Sequence, residues 1–583
     1  MRSLIGLIIL GSLTTPTLAW AQENTLKVVY PPANHETNTD KIFLLGTAPP
    51  TGKVLINNQV INRSKSGHFA PSFPLQLGEN LFTVRYQNQE IQMQVTRVNN
   101  QPEIPQGLAF VADSLTPKVD IARLPGEEIC FSAIAAPNAN LNVKLGQQTV
   151  KLSPQKQQIS LPSNSAIYLD RNQPITQIIP GKYQGCTTLA TTRNWQQPEF
   201  QLTLNGETIT QISSGKIQSL SLAKLPVVEV IAEAGVARTG PSTTDSRLTP
   251  LPQGVRASVT AKEGDWLRLD YGGWIHSQET RMIPQAIPPR SNIRSIISRE
   301  LPAATEIVFP LQVPVPVSVE QGDKTFTLTL HNTIAQTDTI RLDDNPFISR
   351  LDWQQIAPDT VQYTFHLKKD QQWGYNLQYR DTSLVLSLRH PPTISRRQRQ
   401  PLSGVKILLN AGHGGEELGA AGPTGYLAKD LNLVVTKLLR DELRRRGATV
   451  VMAREDDRDL SLMARQKMID QNEPAIALTF HYRFLADNGD AENTKGVSSY
   501  WYYPQAHGLA VLLQNRLVEN LGRSSFGVYW NNLALTRPHS APSVLLELGF
   551  MSNPDDFELA MDVEEQRRLA RVLAEGVVEW FNK

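Results

Sequence analysis

The period of the hydrophobic pattern changes near residue 404, and this change constrains the fold more than any other feature of the chain. Between about residues 24 and 390, short runs such as KVLINNQVI and EIQMQVTRV alternate apolar and polar residues and are separated by Gly, Pro and Asn. This pattern is typical of small sandwiches and barrels. From residue 404 onwards, apolar strands alternate with segments of helical period. The sequence therefore predicts a multidomain chain, in which several small all-β modules precede a C-terminal α/β domain with a mostly parallel sheet.

Chain length and local composition divide the chain further. A chain of 583 residues is too long for a single hydrophobic core. Stretches rich in Pro, Asn and Gln separate the β-patterned regions, as linkers and turns do. The predicted units are a first β module at 24–98, a second at 102–222, a third at 226–284, a fourth at 290–390, a linker at 391–403 and a C-terminal domain at 404–583.

The first 21 residues are typical of a secretion signal. Arg2 precedes the apolar run LIGLIILGSL, and Ala19-Trp20-Ala21 offers a cleavage site before Gln22. The apolar run is too short to span a bilayer, and no other run of the sequence reaches about 18 apolar residues. We therefore expect a periplasmic or extracellular protein without a transmembrane segment. The net charge of +2 excludes the strongly basic overall character that is typical of nucleic-acid-binding proteins.

The two cysteines of the chain, Cys130 and Cys186, both lie in the second β module. In an oxidising compartment we expect them to form a disulfide, and two separately buried thiols are the alternative. The sequence offers neither cysteine a nearby base, so no catalytic role is predicted for them.

The first helix of the C-terminal domain can be predicted in some detail. The segment KDLNLVVTKLLRDELRRRG has helical period, and Leu431, Val434, Leu438 and Leu439 are predicted to share its buried face. Gly447 is expected to end this helix, because glycine readily adopts the left-handed conformation that follows many helices.

Three residues able to support hydrolysis follow predicted strands of the C-terminal domain. His413 follows the strand KILLNA, His481 follows AIALTF, and Glu547 ends SVLLEL. Chemistry in such sheets gathers at the carboxyl ends of the strands, so these residues are predicted to form one site. Imidazoles and a carboxylate can hold zinc with one position open, where bound water becomes acidic enough to attack at neutral pH. Each residue also has a structural alternative, as a capped histidine or a paired buried carboxylate.

The motifs around these residues resemble the zinc-dependent N-acetylmuramoyl-L-alanine amidases, in the type found in cyanobacterial envelopes. GHGG carries His413, FHYRF carries His481 and LLELGFMSNP carries Glu547, while LSLMAR and ALTRP extend the match. The resemblance implies cleavage of the amide that joins N-acetylmuramic acid to L-alanine in the stem peptide of peptidoglycan. It implies that His413 and His481 bind zinc and that Glu547 is the catalytic acid-base. Arg537, in ALTRP, would hold a substrate carboxylate or the developing oxyanion.

Two positions depart from the pattern of this family. The glutamate expected as the third zinc ligand is Ala428, and the second residue after His481 is Arg483. Side chains two apart on a strand point the same way, so Arg483 is predicted to face the metal. One lost anion and one gained cation, each about 5 Å from a divalent ion, weaken binding by several kcal/mol at an effective dielectric near 20. We therefore expect weakened zinc affinity, with Glu417 as the candidate substitute ligand.

The β modules carry weaker resemblances. The third, with GVARTGPS, SRLTPLPQG and GDWLRLDYGGWI, resembles a bacterial SH3 domain, which implies binding of cell-wall peptide or another extended ligand. The fourth resembles the β domains that attach amidases to the wall, and the first resembles an immunoglobulin-type sandwich. The second resembles no family that we can name.

Three functions stay open at this point. The first is an active zinc amidase whose substrate is peptidoglycan. The second is a catalytically inactive protein that binds peptidoglycan or regulates its turnover, which Ala428 and Arg483 together favour. The third is a zinc peptidase of another specificity. The sequence does not indicate an activator protein, the oligomeric state, or which β module contacts glycan.

Overall fold

A computed structural model of the chain describes residues 25–99, 103–155, 157–169, 172–177, 179–394 and 400–582. The predicted secretion signal at 1–21 lies outside the described residues, as does the middle of the predicted linker at 391–403. Within the described part, no helix combines the length and the apolar character needed to cross a membrane. The described part is rich in strands, and its α-helices all lie between residues 428 and 582.

The first β module consists of short strands arranged in small sheets. Its strands are β1 (Lys27–Tyr30), β2 (His35–Thr37), β3 (Lys41–Phe43), β4 (Leu45–Thr47), β5 (Val54–Ile56), β6 (Gln59–Val60), β7 (His68–Phe69), β8 (Ser72–Pro74), β9 (Gly78–Tyr86) and β10 (Gln89–Arg97). The alternate residues Phe82, Val84 and Tyr86 of β9 are buried, as expected for a strand with one covered face. Phe43 packs with Phe550 in a cluster that joins this module to the C-terminal domain.

The second β module contains a disulfide between Cys130 and Cys186. Its strands are β11 (Ile121–Arg123), β12 (Glu128–Ile134), β13 (Asn140–Leu145), β14 (Gln148–Pro154), β15 (Gln158–Ser160), β16 (Ile175–Gln177), β17 (Lys182–Thr188), β18 (Asn194–Gln196), β19 (Glu199–Leu204), β20 (Glu207–Ile212) and β21 (Ile217–Ser219), with 3₁₀ turns at Asn164–Leu169 and Leu222–Lys224. The two cysteines stand opposite each other on the antiparallel strands β12 and β17. The predicted disulfide is therefore confirmed.

The third and fourth β modules follow without α-helices in their described residues. The third has β22 (Val227–Val230), β23 (Ala234–Gly235), β24 (Leu251–Pro252), β25 (Arg256–Glu263), β26 (Trp266–Leu269), β27 (Trp274–His276), a 3₁₀ turn at Ser277–Glu279, and β28 (Thr280–Ile283). The fourth has β29 (Ser291–Glu300), β30 (Ala304–Phe309), β31 (Val317–Gln321), β32 (Thr325–His331), β33 (Thr333–Arg341), β34 (Ile348–Ala357), β35 (Thr360–Leu367), β36 (Tyr375–Arg380) and β37 (Ser383–Arg389). Strand β11 of the second module pairs with β25 of the third, so these two modules share one sheet.

The C-terminal domain is built on one six-stranded mixed sheet. Its elements are β38 (Lys406–Ala411), α1 (Ala428–Arg445), β39 (Thr449–Met452), α2 (Leu462–Asn472), β40 (Ile476–Arg483), β41 (Val497–Trp501), α3 (Pro504–Leu521), β42 (Ser525–Trp530), β43 (Ser543–Phe550), α4 (Pro554–Met561) and α5 (Val563–Asn582). The strand order is β39-β38-β40-β43-β41-β42. The first four of these are parallel, and β41 runs antiparallel to β43. The predicted α/β architecture of this domain is confirmed, with a mixed sheet.

Helix α1 packs against the sheet along a stripe of residues four apart. The buried side chains of this stripe are Leu431, Val435, Leu439 and Leu443. The predicted position of Val434 on the buried face was wrong, because Val435 takes that place and Val434 is 37% exposed. The helix ends just before Gly447, as predicted, and this glycine has a φ of +93°.

Loss of the disulfide is expected to destabilise the second β module. Replacement of both Cys130 and Cys186 by Ser leaves open a loop whose ends are 56 residues apart, and the unfolded chain gains entropy. The expected loss in the free energy of unfolding is about 2–4 kcal/mol. Limited proteolysis with mass spectrometry should show faster cleavage within residues 102–222, while cleavage within residues 404–582 serves as the internal control. Equal cleavage of the oxidised protein and the double variant in the second module would contradict this expectation.

Candidate active site

The turn after β38 brings His413 close to His481 on β40. The centroids of the two imidazole rings lie 4.8 Å apart, and the rings are nearly perpendicular. Two glycines make room for this approach, because a Cβ at Gly412 would lie 2.3 Å from the His481 ring and a Cβ at Gly419 would lie 2.5 Å from the His413 ring. His413 has a φ of +59°, a left-handed conformation that residues other than glycine seldom adopt. The glycine-rich loop therefore holds two imidazoles side by side.

Glu547 stands next to His481 across the sheet. The two residues are register partners on the parallel strands β40 and β43. Burial raises the pKa of the Glu547 carboxyl to about 7, although the nearby charge of Arg483 acts in the opposite direction. Within the described part of the chain, its Oε2 atom is buried without a hydrogen-bond partner. A carboxyl group with a pKa near neutrality can both accept a proton and return it.

His481 is neutral at physiological pH. Burial lowers its pKa to about 3, and His413, Arg465 and Arg454 contribute electrostatic repulsion in the same direction. A neutral imidazole keeps a nitrogen lone pair that can bind a metal ion or a proton. The structure thus places the three predicted residues, His413, His481 and Glu547, at one edge of the sheet.

Glu417, the candidate substitute ligand, contacts the ring of His413. Its Oε1 atom lies 2.9 Å from Nδ1 of His413. Nδ1 therefore donates this hydrogen bond, and Nε2 is left as the nitrogen with the lone pair. In this position the carboxylate orients the imidazole, which is the usual task of a residue behind a metal ligand.

Ala428 stands at the first position of α1 and is completely buried in the hydrophobic core of the domain. Its methyl group cannot coordinate a metal. Among the described residues, one group of three His, Cys, Asp or Glu side chains has its donor atoms within 4.8 Å of one another, and it consists of Glu128, Cys130 and Cys186. The two cysteines of that group form the disulfide. The donor set around His413 therefore does not fit a catalytic zinc ion with three protein ligands.

Two buried arginines that the sequence analysis did not assign hold the loop of His413. Arg454 donates hydrogen bonds to the carbonyl oxygens of Ala411 and Gly412, at 3.1 and 3.0 Å. Arg465 donates to the carbonyl oxygens of Ala411 and His413, both at 2.8 Å. Burial lowers the pKa of Arg465 to about 10. Arg465 lies in the LSLMAR motif, so the amidase resemblance included this residue without giving it a role.

Arg483 is covered by an aromatic residue from the second β module. The centre of its guanidinium group lies 3.9 Å from the centroid of the Tyr168 ring, and its Nη1 donates a hydrogen bond to the hydroxyl of Tyr500. The hydroxyl of Tyr168 accepts a hydrogen bond of 2.7 Å from Asn531. The positive charge of Arg483 also acts on Glu547, where it favours the carboxylate form. No local sequence pattern signals Tyr168, because its contact depends on how two modules pack.

Arg537 lies in the segment between β42 and β43. Its Nε atom donates a hydrogen bond of 3.2 Å to the carbonyl oxygen of Leu533. Burial lowers the pKa of Arg537 to about 10, and the charges of Arg247 and Arg238 in the third β module lower it further. The arginines whose charges act on Arg537 thus belong to the third β module, and the histidine pair is not among these groups.

Comparison with known proteins finds a family match within the C-terminal domain. Residues 407–579 match the model of the N-acetylmuramoyl-L-alanine amidase family. The "Probable cell wall amidase LytH" of Staphylococcus aureus is 33% identical over 188 residues, which cover 32% of this chain and 62% of the relative. The chain thus spans less than two thirds of the length of this relative. The predicted amidase resemblance is confirmed for these residues.

Solved amidase structures also match about a third of the chain. The amidase AmiC2 of Nostoc punctiforme is 26% identical, and the match covers 31% of this chain and 99% of that one, with a TM-score of 0.30. An N-acetylmuramoyl-L-alanine amidase of Clostridium difficile 630 is 24% identical, with coverage of 31% and 97% and a TM-score of 0.29.

The raised pKa of Glu547 should make the stability of the C-terminal domain depend on pH. Between pH 4.5 and 7 the unfolded carboxyl releases its proton while the folded carboxyl keeps it, so wild-type stability falls in this window. The substitution Glu547→Gln removes this effect, and the variant should gain on the order of 3 kcal/mol relative to wild type between pH 4.5 and pH 8. Urea unfolding in the presence of EDTA, followed by circular dichroism at 222 nm, reports on this domain because it holds the described α-helices.

The exposed residue Glu575 on α5 provides the matched control for this measurement. The substitution Glu575→Gln should leave the difference from wild type constant across the same pH range. If the free energy of unfolding of Glu547→Gln also differs from that of wild type by a constant amount across this pH range, the pKa of Glu547 is not raised in the folded protein.

Proposed function

We propose that residues 404–583 act on peptidoglycan outside the cytoplasmic membrane, where they hydrolyse the amide between N-acetylmuramic acid and L-alanine of the stem peptide. The observation that carries this proposal is the meeting of His413, His481 and Glu547 at the ends of parallel strands. The amidase family match and the similarity to a cell wall amidase support the same assignment. The secretion signal predicted at residues 1–21 supports the location.

Glu547 is the residue to which we assign proton transfer. Its carboxylate form would take a proton from the attacking water, and the same carboxyl would then pass the proton to the nitrogen of the departing L-alanine. Burial raises the pKa of this carboxyl to about 7, so both protonation states are populated at neutral pH. The nearby cation Arg483 favours the carboxylate form that acts first.

Zinc is the cofactor that the family resemblance implies, and His413 and His481 are the residues that would hold it. The donor set lacks a third ligand because Ala428 is buried in the core and Glu417 contacts the ring of His413. We therefore assign no step of the reaction to zinc, and we propose that this domain has weak zinc affinity and reduced activity.

Restoring a carboxylate at position 428 should strengthen zinc binding. The substitution Ala428→Glu supplies the anion that the family pattern has at this position, and we expect higher zinc content after dialysis and faster release of dye from labelled peptidoglycan. The matched control is Ala428→Gln, which adds the same bulk to the core without the charge and should raise neither quantity. Full zinc occupancy and rapid turnover in the wild-type protein would contradict the proposed defect.

Loss of the Glu547 carboxyl should abolish the remaining hydrolysis. Because general acid-base catalysis contributes about 100- to 10,000-fold, Glu547→Gln should lower the rate of amide cleavage by at least about 100-fold. Sedimentation with insoluble peptidoglycan should be unchanged, since the side chain keeps its shape. The control Glu575→Gln should keep the wild-type rate. A Glu547→Gln variant that hydrolyses peptidoglycan as fast as wild type would overturn the assigned role.

A catalytically inactive protein that binds peptidoglycan is the second candidate function. The packing of Tyr168 on Arg483 favours it, because a residue of another module covers a cation close to Glu547. In that case wild type and Glu547→Gln would release no free amino groups of L-alanine, with or without added zinc, and both would still sediment with peptidoglycan.

A further inference from the structure

Three arginine side chains gather where the third β module meets the C-terminal domain. Arg238 and Arg247 stand opposite each other in an antiparallel bridge within the third module. Residues paired in this way have Cβ atoms roughly 4.5–5.5 Å apart. The charges of both residues act on Arg537 of the C-terminal domain. The cluster therefore joins two parts of the chain that are far apart in sequence.

Contacts of helix α2 independently place Arg537 beside the third module. Lys467 on α2 forms an ion pair of 3.5 Å with Glu233 of the third module. The preceding residue, Gln466, donates a hydrogen bond of 2.6 Å to the carbonyl oxygen of Ala534. Ala534 and Arg537 both belong to the segment between β42 and β43. Two consecutive residues of α2 therefore contact this segment and the third β module, respectively.

The three guanidinium groups have donors that the described protein does not use. Arg238 is only 7% exposed, and its Nη1 donates to the carbonyl oxygen of Asp245 at 2.7 Å. Its Nε atom is buried and has no hydrogen-bond partner in the described part. Arg537 donates from Nε to Leu533. For Arg247, the described residues provide no hydrogen bond or ion pair to the guanidinium group.

Charge balance at the cluster is strongly positive. Burial and the charge of Arg238 lower the pKa of Arg247, and the charge of Glu279 acts in the opposite direction. The Oε2 atom of Glu279 also accepts a hydrogen bond of 2.6 Å from the backbone of Val236. Three guanidinium groups and one carboxylate leave two positive charges without a partner among these residues. Guanidinium groups bind carboxylate and phosphate through paired hydrogen bonds, so an oxyanion is the ligand that this cluster fits.

Aromatic surface lies beside the cluster. Tyr502 interacts electrostatically with Arg247 and Arg537, and its ring packs 5.3 Å from the ring of Trp530. Trp530 is 60% exposed, which is unusual for the largest aromatic side chain. An exposed indole next to unneutralised arginines offers an apolar wall for the body of a ligand whose anionic group enters the cluster.

The cluster and the candidate active site lie towards opposite ends of β41, which runs antiparallel to β43. Ser498 of β41 is the register partner of Glu547. Tyr502 follows four residues later, which corresponds to about 13 Å along an extended chain. A stem peptide of four extended residues has about the same length. The tyrosine between them, Tyr500, is the one whose ring lies beside Tyr168.

We propose that Arg238, Arg247 and Arg537 form a binding site for an oxyanion, and that its occupant is a carboxylate of the peptidoglycan stem peptide. The identity of the occupant rests on the proposed function, whereas the oxyanion chemistry rests on the arginines alone. The third β module then supplies part of the substrate site, with two arginines that reach the C-terminal domain.

The test is a calorimetric titration of the full secreted chain that carries Glu547→Gln, so that the ligand is not cleaved. The probes are an N-acetylmuramyl tetrapeptide with free carboxylates, the same compound with its carboxyl groups amidated, and inorganic phosphate. We expect the free peptide to bind, and the added pair Arg247→Gln and Arg537→Gln to weaken its binding at least tenfold. Amidation of the peptide should weaken its binding to the unsubstituted cluster. The loss of affinity should equal the loss that the pair variant shows for the free peptide.

Two further variants separate folding from binding. Arg256→Gln, an exposed arginine of the same module that pairs with Glu229, should leave binding unchanged. If the glutamine variants misfold, the pair Arg247→Lys and Arg537→Lys replaces them. This pair keeps both positive charges but loses the guanidinium geometry, so it should bind the free peptide more weakly than the unsubstituted cluster does. Thermal unfolding followed by circular dichroism verifies that each variant is folded.

Several outcomes would overturn the proposal. If folded pair variants bind the free peptide as tightly as the chain with the unsubstituted cluster, Arg247 and Arg537 do not bind this ligand. Equal binding of free and amidated peptide would exclude a carboxylate, and binding of phosphate without the peptide would exclude the stem peptide as occupant. Failure of the proposed function is separate, since it appears as an absence of hydrolysis in the wild-type chain while the arginine-dependent binding persists.

Discussion

The arrangement at the candidate active site depends on the hydrogen bonds that two buried arginines donate to the turn after β38. Arg454 and Arg465 are 0% and 2% exposed, and they bind the carbonyl oxygens of residues 411 to 413. A guanidinium group taken out of water is costly unless its donors are satisfied, so these bonds and the burial support each other. They fix the backbone that carries His413 in its left-handed conformation. The distance between the two imidazoles follows from this fixed turn.

The same arginines make the site electropositive. Arg454 and Arg465 repel a proton from His481, and Arg483 adds a further cation near Glu547. In the amidase family pattern an extra glutamate would offset part of this charge, but Ala428 contributes only a methyl group to the core. The pKa of Glu547 is nevertheless raised, so desolvation outweighs the attraction of the cation. These charges are the physical basis of the weak zinc affinity that we propose.

The sequence predicted those features that local patterns encode. The change of period near residue 404, the strands before His413 and His481, and the end of α1 at Gly447 depend on neighbours along the chain. The error at Val434 has the same origin, because periodicity alone does not distinguish it from the adjacent Val435. Tyr168 and the arginine cluster could not be predicted, since their contacts depend on how separate modules pack. The domain boundaries stay predictions, although the shared sheet shows that the second and third modules are closely joined.

Contacts from separate β modules converge on the last strands of the C-terminal sheet. Tyr168 of the second module lies beside Tyr500 of β41, and Arg247 of the third module acts on Tyr502 just beyond its end. Glu547 lies on the neighbouring strand, where Ser498 of β41 is its register partner. Side chains of three different parts of the chain therefore surround β41. In the proposed function, the packing of the β modules would therefore determine which substrates reach the Glu547 carboxyl group.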